Sequence, residues 1–196
     1  GRFGKALAWG AENGTVQAKG DFSALKDAFT LQAWVRLDEL PTGKPPFWTA
    51  DVAGRLGSCL MSIRPPGVLY VAVHLGGQPN YLHGQTRIET GKWTHLALVY
   101  DGAAGKIATF VDGKVDLEAD VAPGSPRTVN DSGNAFWIRS YGGGDEKLVG
   151  AIDEVCLSAK AITFGHRWRV PVYLHVLRYA SAFLVGAQPG GITGLV

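Results

Sequence analysis

The sequence predicts an all-β sandwich, and three observations carry that prediction. Short strand-like runs recur along the chain, about a dozen of them, separated by Gly, Pro and Asn/Asp turn signals. Gly is abundant, 27 of 196 residues, as turn-dense β proteins require. The run Gly91–Lys114 places two strand patterns, 93–100 and 106–111, around a Gly-rich reversal and follows them at once with Asp112-Gly113. Asp-Gly between strands tolerates the positive φ of a tight hairpin, so a third strand, 114–120, continues the meander.

In chain order, Phe3–Trp9 alternates as an opening strand, Asn13-Gly14 turns, and Thr15–Ala18 is a short second strand. Asp21–Leu25 reads as a loop or one helical turn. Phe29–Leu37 is a clear strand: Phe29, Leu31, Ala33, Val35 and Leu37 share one face, with Thr30, Gln32, Trp34 and Arg36 on the other. Three Pro within 41–46 make a loop. Strands are expected over 47–52 and 58–64, around Gly54 and Gly57, and after Pro65-Pro66-Gly67 over 68–75. Gly76–Asn80 reads as an exposed loop, and the polar stretch 81–90 as mostly loop with one short strand. Beyond the meander, 123–133 is a long polar loop, Ala135–Ser140 a strand, 142–146 a turn, and Leu148–Ser158 the last body strand.

Composition bounds the function. Hydrophobic residues are 46% and charged residues 18%, ordinary for a globular chain, and a net charge of +2 is too small to argue for nucleic acid or an anionic membrane as partner, so neither is expected. The length suits one domain, or one domain plus an appendage. Two cysteines, Cys59 and Cys156, form neither a disulfide framework nor a metal cluster; buried hydrophobes and a single bridge are the two readings. With Gly1 first and no leader pattern, the chain reads as an excised fragment. Residues 161–196 differ from the body, holding three Arg and no acid. There, Tyr173, Val176, Leu177, Ala180, Phe183 and Leu184 follow helical spacing between Pro171 and Gly186, which predicts a short C-terminal helix. A membrane span would need about 20 apolar residues, and Arg178 and His175 interrupt this one. A shifted reading frame from about Phe164 is a further alternative.

Several motifs carry a resemblance. Phe29-Thr-Leu-Gln-Ala-Trp-Val, Trp93-Thr-His-Leu-Ala-Leu-Val-Tyr-Asp-Gly, Phe110-Val-Asp-Gly-Lys, Gly150-Ala-Ile-Asp-Glu-Val and Ala159-Lys-Ala-Ile-Thr stand in the order seen in laminin G-like domains. The chain thus resembles that family across residues 3–163. The resemblance implies a concanavalin A-type jelly roll of two antiparallel sheets over 1–163, followed by an atypical tail, 164–196. It also implies an extracellular or cell-surface setting, a glycan or cell-surface protein as partner, and in some related jelly rolls a Ca²⁺ at the rim.

The chemistry-bearing residues point to recognition. Paired carboxylates for glycan hydrolysis need both acids in one cleft, whereas Asp145-Glu146 and Asp153-Glu154 are sequence neighbours that a strand sends to opposite faces. His74, His83 and His95 lack zinc spacing, and no phosphate loop or Gly-x-Ser-x-Gly elbow is present. His95 is expected as a satisfied cross-strand residue. For Ca²⁺, the loops offer Asp21, Asp51, Asn130, Asp131, Asp145 and Glu146, and Asp153 is the metal-ligand candidate because it matches the closing motif; the alternative is a strand-end carboxylate bonding backbone N–H groups. Aromatic rings stack on the apolar face of a pyranose. The ligand-binding candidates are therefore Trp48, Tyr70, Tyr81, His83, Trp137 and Tyr141, with Asn80, Gln85 and Arg139 as polar partners. Trp34 and Trp93 are expected in packing. The expected function is non-catalytic recognition of carbohydrate or protein, with a structural spacer as alternative and a jelly-roll hydrolase as a third.

Overall fold

The computed structural model describes residues 1–10, 14–44, 48–142, 148–162 and 164. Among these residues twelve strands form two antiparallel sheets of six, a jelly-roll sandwich. The first sheet runs in the order β1 (Leu7–Trp9), β12 (Gly150–Ser158), β3 (Ala28–Leu37), β8 (Trp93–Asp101), β9 (Lys106–Val111) and β10 (Lys114–Asp120). The second runs β2 (Val16–Ala18), β11 (Phe136–Ile138), β4 (Ala50–Arg55), β5 (Cys59–Arg64), β6 (Val68–Leu75) and β7 (Gln78–Arg87). One 3₁₀ turn, Ser23–Leu25, precedes β3.

Alternation builds the core. Phe29, Leu31, Ala33, Val35 and Leu37 of β3 are all fully buried, as are Leu96, Leu98 and Tyr100 of β8 on the adjoining strand. Cys59, Met61 and Ile63 of β5 and Leu69, Val71 and Val73 of β6 face them from the second sheet. Each Phe, Leu, Val, Ile or Met among them contributes about 1.5–3 kcal/mol by leaving water. Tight turns keep the register. Asp112 and Gly113, at φ 48° and 74°, join β9 to β10, and Gly76 and Gly77, at φ 55° and 88°, join β6 to β7. These positive values match the twist of antiparallel strands.

The structure departs from the sequence reading in the second sheet. Residues 76–90 are not mainly loop: β7 is a ten-residue strand, paired with β6 from Leu75↔Gln78 to Val68↔Arg87. Its polarity reflects an edge position, where only Leu82 is buried and Pro79 is tolerated. The strand expected at 47–52 starts at Ala50 and runs through Gly54 to Arg55. Asp116, displaced from the β9–β10 ladder by a register shift, accepts hydrogen bonds from the N–H groups of Gln85 (3.1 Å) and Thr86 (2.7 Å). It thereby ties the edge of one sheet to the edge of the other.

Cys59 and Cys156 are both free. Cys59 lies in the core, where burial pushes its thiol up to about 12. The expected tail helix and the loop Asp145-Glu146 lie outside the described residues.

Candidate functional site

The residues pointing away from the core on the second sheet form the candidate site. Register arranges them in rows. Asp51, Ser62, Tyr70 and His83 are successive cross-strand partners on β4, β5, β6 and β7. The next row holds Trp137, Gly54, Leu60, Ala72 and Tyr81. On the other side of the first row lie Arg64, Val68 and Arg87. Alternation along β5 explains why Leu60, Ser62 and Arg64 emerge here while Cys59, Met61 and Ile63 enter the core.

Tyr70 is the centre of a stack. Tyr81 lies 5.7 Å away and nearly parallel, at 14°. The Arg64 guanidinium carbon sits 3.4 Å from the Tyr70 ring centre, and the His83 ring is 4.9 Å away. Arg64 belongs to the Val68 row and Tyr81 to the Ala72 row, so they flank Tyr70 along the strand direction. Tyr70 is only 4% exposed, whereas Tyr81 is 54% exposed. Burial raises the Tyr70 hydroxyl pKa above its ordinary value. The guanidinium on the ring face gains from the ring quadrupole.

Tyr141 completes the face from the chain after β11. Its ring passes over Gly54, where an added Cβ would lie 3.0 Å from the ring and 2.8 Å from the Cys59 carbonyl. Only glycine admits that approach. The Tyr141 hydroxyl accepts from the Gly57 N–H (2.8 Å) and shares a hydrogen bond with His74 Nε2 (3.2 Å). Burial raises the pKa of this phenol and lowers that of His74. Asp51, 2% exposed, accepts from the Thr49 hydroxyl (3.2 Å). Beside it the fully buried Ser62 hydroxyl and the buried Arg64 Nε have no hydrogen-bond partner among the described residues.

Of the predicted site residues, Tyr70, Tyr81, His83 and Tyr141 come together on this face. Trp137, half-buried, lies across from Gly54 at its margin. Trp48 is exposed just before β4, and no ring contact among the described residues joins it to the others. Arg139 was expected as a surface polar partner and is instead fully buried. At φ 64°, it donates to the carbonyls of Leu148 (2.7 Å), Gly14 (2.8 Å) and Gly10 (2.7 Å). Desolvation lowers its pKa to about 10. Asn80 spends its amide on the Val73 and Gln78 carbonyls, and Gln85 lies on the exposed edge. Sequence reasoning missed Arg64, His74 and Gly54. The alternation of 59–64 was the available signal for Arg64.

Asp153 lies on the first sheet. Its Oδ2 accepts from the N–H groups of Arg2 (2.8 Å) and Phe3 (3.5 Å), and its Oδ1 from the Glu154 N–H (2.9 Å). Glu154 sits at φ 49° in a register break of β12, so strict alternation fails between the two acids, yet Asp153 is nearly buried and Glu154 exposed. Asp21 accepts from Ser23 N–H, and Asp131 pairs with Arg55 at 2.6 Å. Among the described residues no group of three or more His, Cys, Asp or Glu is placed to hold a metal ion.

Solved structures share this architecture. A Bacteroides ovatus protein proposed to bind carbohydrate aligns at 22% identity and TM-score 0.65 over 82% of this chain, which spans only 44% of that one. Domain 4 of AbnA, a GH43 extracellular arabinanase from Geobacillus stearothermophilus solved with arabinotriose, aligns at 22% identity and TM-score 0.59, covering 83% and 74% of the two chains. The CBM40 of a Ruminococcus gnavus IT-sialidase, bound to α2,3 sialyllactose, aligns at 10% identity and TM-score 0.58, covering 81% and 92%. No curated protein matches the sequence significantly. Residues 10–164 match the laminin G-type model of the concanavalin A-like lectin/glucanases superfamily, and the chain belongs to that family.

Proposed function

We propose that the chain is a non-catalytic carbohydrate-binding module that takes a glycan on the outer face of the second sheet. The observation that carries this reading is Tyr81: a largely exposed aromatic ring held in place from behind by the buried Tyr70. A rigid ring with an open face offers stacking area at little entropic cost. Polar groups that can meet sugar hydroxyls stand around it: His83, His74 and the Tyr141 hydroxyl. The similar folds solved with arabinotriose and with sialyllactose support a sugar as the ligand class. An extracytoplasmic setting goes with it.

A binding role fits this face better than glycoside hydrolysis. Hydrolysis of a glycoside needs two carboxyl groups across the scissile bond. Among the described residues Asp51 is the acid of the face, and it is buried against Thr49.

The test is titration of the protein with arabinotriose, sialyllactose and a panel of plant and mucin oligosaccharides, alongside Tyr81→Ala and Tyr81→Phe. At least one sugar binds the parent, Tyr81→Phe keeps most of that affinity, and Tyr81→Ala weakens it about tenfold or more. Unchanged binding by Tyr81→Ala overturns the stacking platform. Failure of the whole panel favours a spacer domain.

A further inference from the structure

Resting on that reading of the face, we propose that its glycan is anionic, and that a carboxylate- or sulfate-bearing sugar docks at the Arg64–Arg87 end. Arg64 and Arg87 are both cross-strand partners of Val68, so they stand two strand spacings apart, about 10 Å, on one face. Neither makes an ion pair among the described residues, although Arg36, Arg55, Lys92 and Lys106 all do. Arg87 is exposed. Arg64 is held in one position by the Tyr70 ring at 3.4 Å, with its Nε buried and without a hydrogen-bond partner among the described residues. A guanidinium fixed in this way has already given up its rotamer freedom, and its planar fork matches an oxyanion in two parallel hydrogen bonds. His83 adds a third nitrogen-bearing side chain beside Tyr70. The acid of the face, Asp51, faces Thr49 and Ser62 one row away and is not exposed.

The spacing fits an oligosaccharide. The rows of Arg64 and Tyr81 stand four residues apart along β6, about 13 Å at the backbone, while their contacts with Tyr70, at 3.4 Å and 5.7 Å between centres, bring the guanidinium and the Tyr81 ring to within about 9 Å of each other. One ring stacked on Tyr81 therefore leaves the acidic sugar further along the same chain to reach Arg64. The glycan would lie along β6, with Tyr70 beneath it.

Two matched probe pairs, and one sulfated arm, test this. Affinities are measured for 3′-sialyllactose against lactose, for tetragalacturonate against galactotetraose, and for a sulfated galactan tetrasaccharide. The proteins are the parent, Arg64→Gln, Arg64→Lys and, as a control for general positive charge, Lys114→Gln on β10. The expected result is that an anionic probe binds about tenfold or more tightly than its neutral partner and weakens with added salt. Arg64→Gln closes that gap, Arg64→Lys recovers part of it, and Lys114→Gln leaves it intact, with melting temperatures unchanged throughout. Which anionic arm binds separates a carboxylate from a sulfate. If neutral sugars bind as tightly, with dependence on Tyr81, the anionic preference falls while the module reading stands. If a charge preference persists in Arg64→Gln, Arg64 is not the anchor and the proposal is overturned. If no probe of either kind binds while arabinotriose or another neutral sugar of the wider panel does, the anionic preference falls alone; if the whole panel fails as well, both fall.

Discussion

The two outer faces of the sandwich are built from similar residues and have opposite fates. On the first sheet, the cross-strand partners Trp34 and His95, and Phe110 in the next row opposite Ala97, form an aromatic surface that other parts of the chain cover. Phe3 meets Trp34 edge-on at 5.7 Å, and the Arg2 guanidinium lies 5.1 Å from the Trp34 ring. Phe164 packs on His95 (5.7 Å) and Phe110 (4.7 Å), over a small cluster with Ala97, Val99 and Ala108. On the second sheet, Arg64, Tyr70, Tyr81 and His83 also combine aromatic rings with a guanidinium and an imidazole, yet Tyr81 stays half open to solvent. The difference teaches that aromatic content alone does not mark a binding surface. What marks it is whether the molecule's own chain closes over the rings.

The predictions below probe that contrast, beginning with the largest effect. On the closed face, Trp34→Ala should destabilise the fold by about 3 kcal/mol, because it removes the surface on which Arg2, Phe3 and His95 pack. Chemical denaturation checks it, and a loss under 1 kcal/mol would mean that the cover contributes little. The same face should respond to acid. Burial lowers the His95 pKa from 6.5 to about 4, and its Nε2 bonds Gln32 Oε1 at 3.1 Å. The folded state therefore resists protonation that the unfolded chain accepts. Stability is full above about pH 6.5 and falls as the pH drops toward 4, by up to about 3 kcal/mol. His95→Gln should flatten that part of the stability-against-pH curve.

At the open face, Gly54→Ala should cost about 1–3 kcal/mol, since the new methyl meets the Cys59 carbonyl, Leu60 Cα and the Tyr141 ring. It should also weaken glycan binding by moving Tyr141. Asp153→Ala should cost about 1 kcal/mol by freeing the N–H groups of Arg2 and Phe3, and faster amide exchange at these two residues is the direct readout. Tyr81→Ala should change stability least, within about 0.5 kcal/mol, because the ring is exposed.

Much of the fold could be read from the chain. The period of two in 29–37 and the Asp112-Gly113 turn predict β3, β9 and β10 almost to the residue, because burial and turn geometry act locally there. β7 was hidden: an edge strand with one buried residue has no alternating pattern, and although its partner β6 is only the Gly76-Gly77 turn away, the Asp116 carboxylate that holds its edge comes from distant sequence. Trp34 and Trp93, expected in packing, do pack, but on the outside of the first sheet, where Arg36 lies 5.8 Å from the Trp93 ring. The site was half legible. Ring-bearing side chains outside the family's core motifs flagged Tyr70, Tyr81, His83 and Tyr141. That Tyr70 is a buried support, that Arg139 turns inward to three carbonyls, and that Arg64 stands on the ring are consequences of cross-strand register, which a single sequence does not display.

The most direct test of the account compares Tyr81→Ala with Trp34→Ala in one glycan titration, using whichever oligosaccharide of the panel binds the parent, with melting temperatures recorded in parallel. The account predicts that Tyr81→Ala melts like the parent and loses the glycan, while Trp34→Ala melts lower and, below its transition, still binds it. Glycan binding retained by Tyr81→Ala and lost by a folded Trp34→Ala would place the sugar on the other sheet and contradict the account.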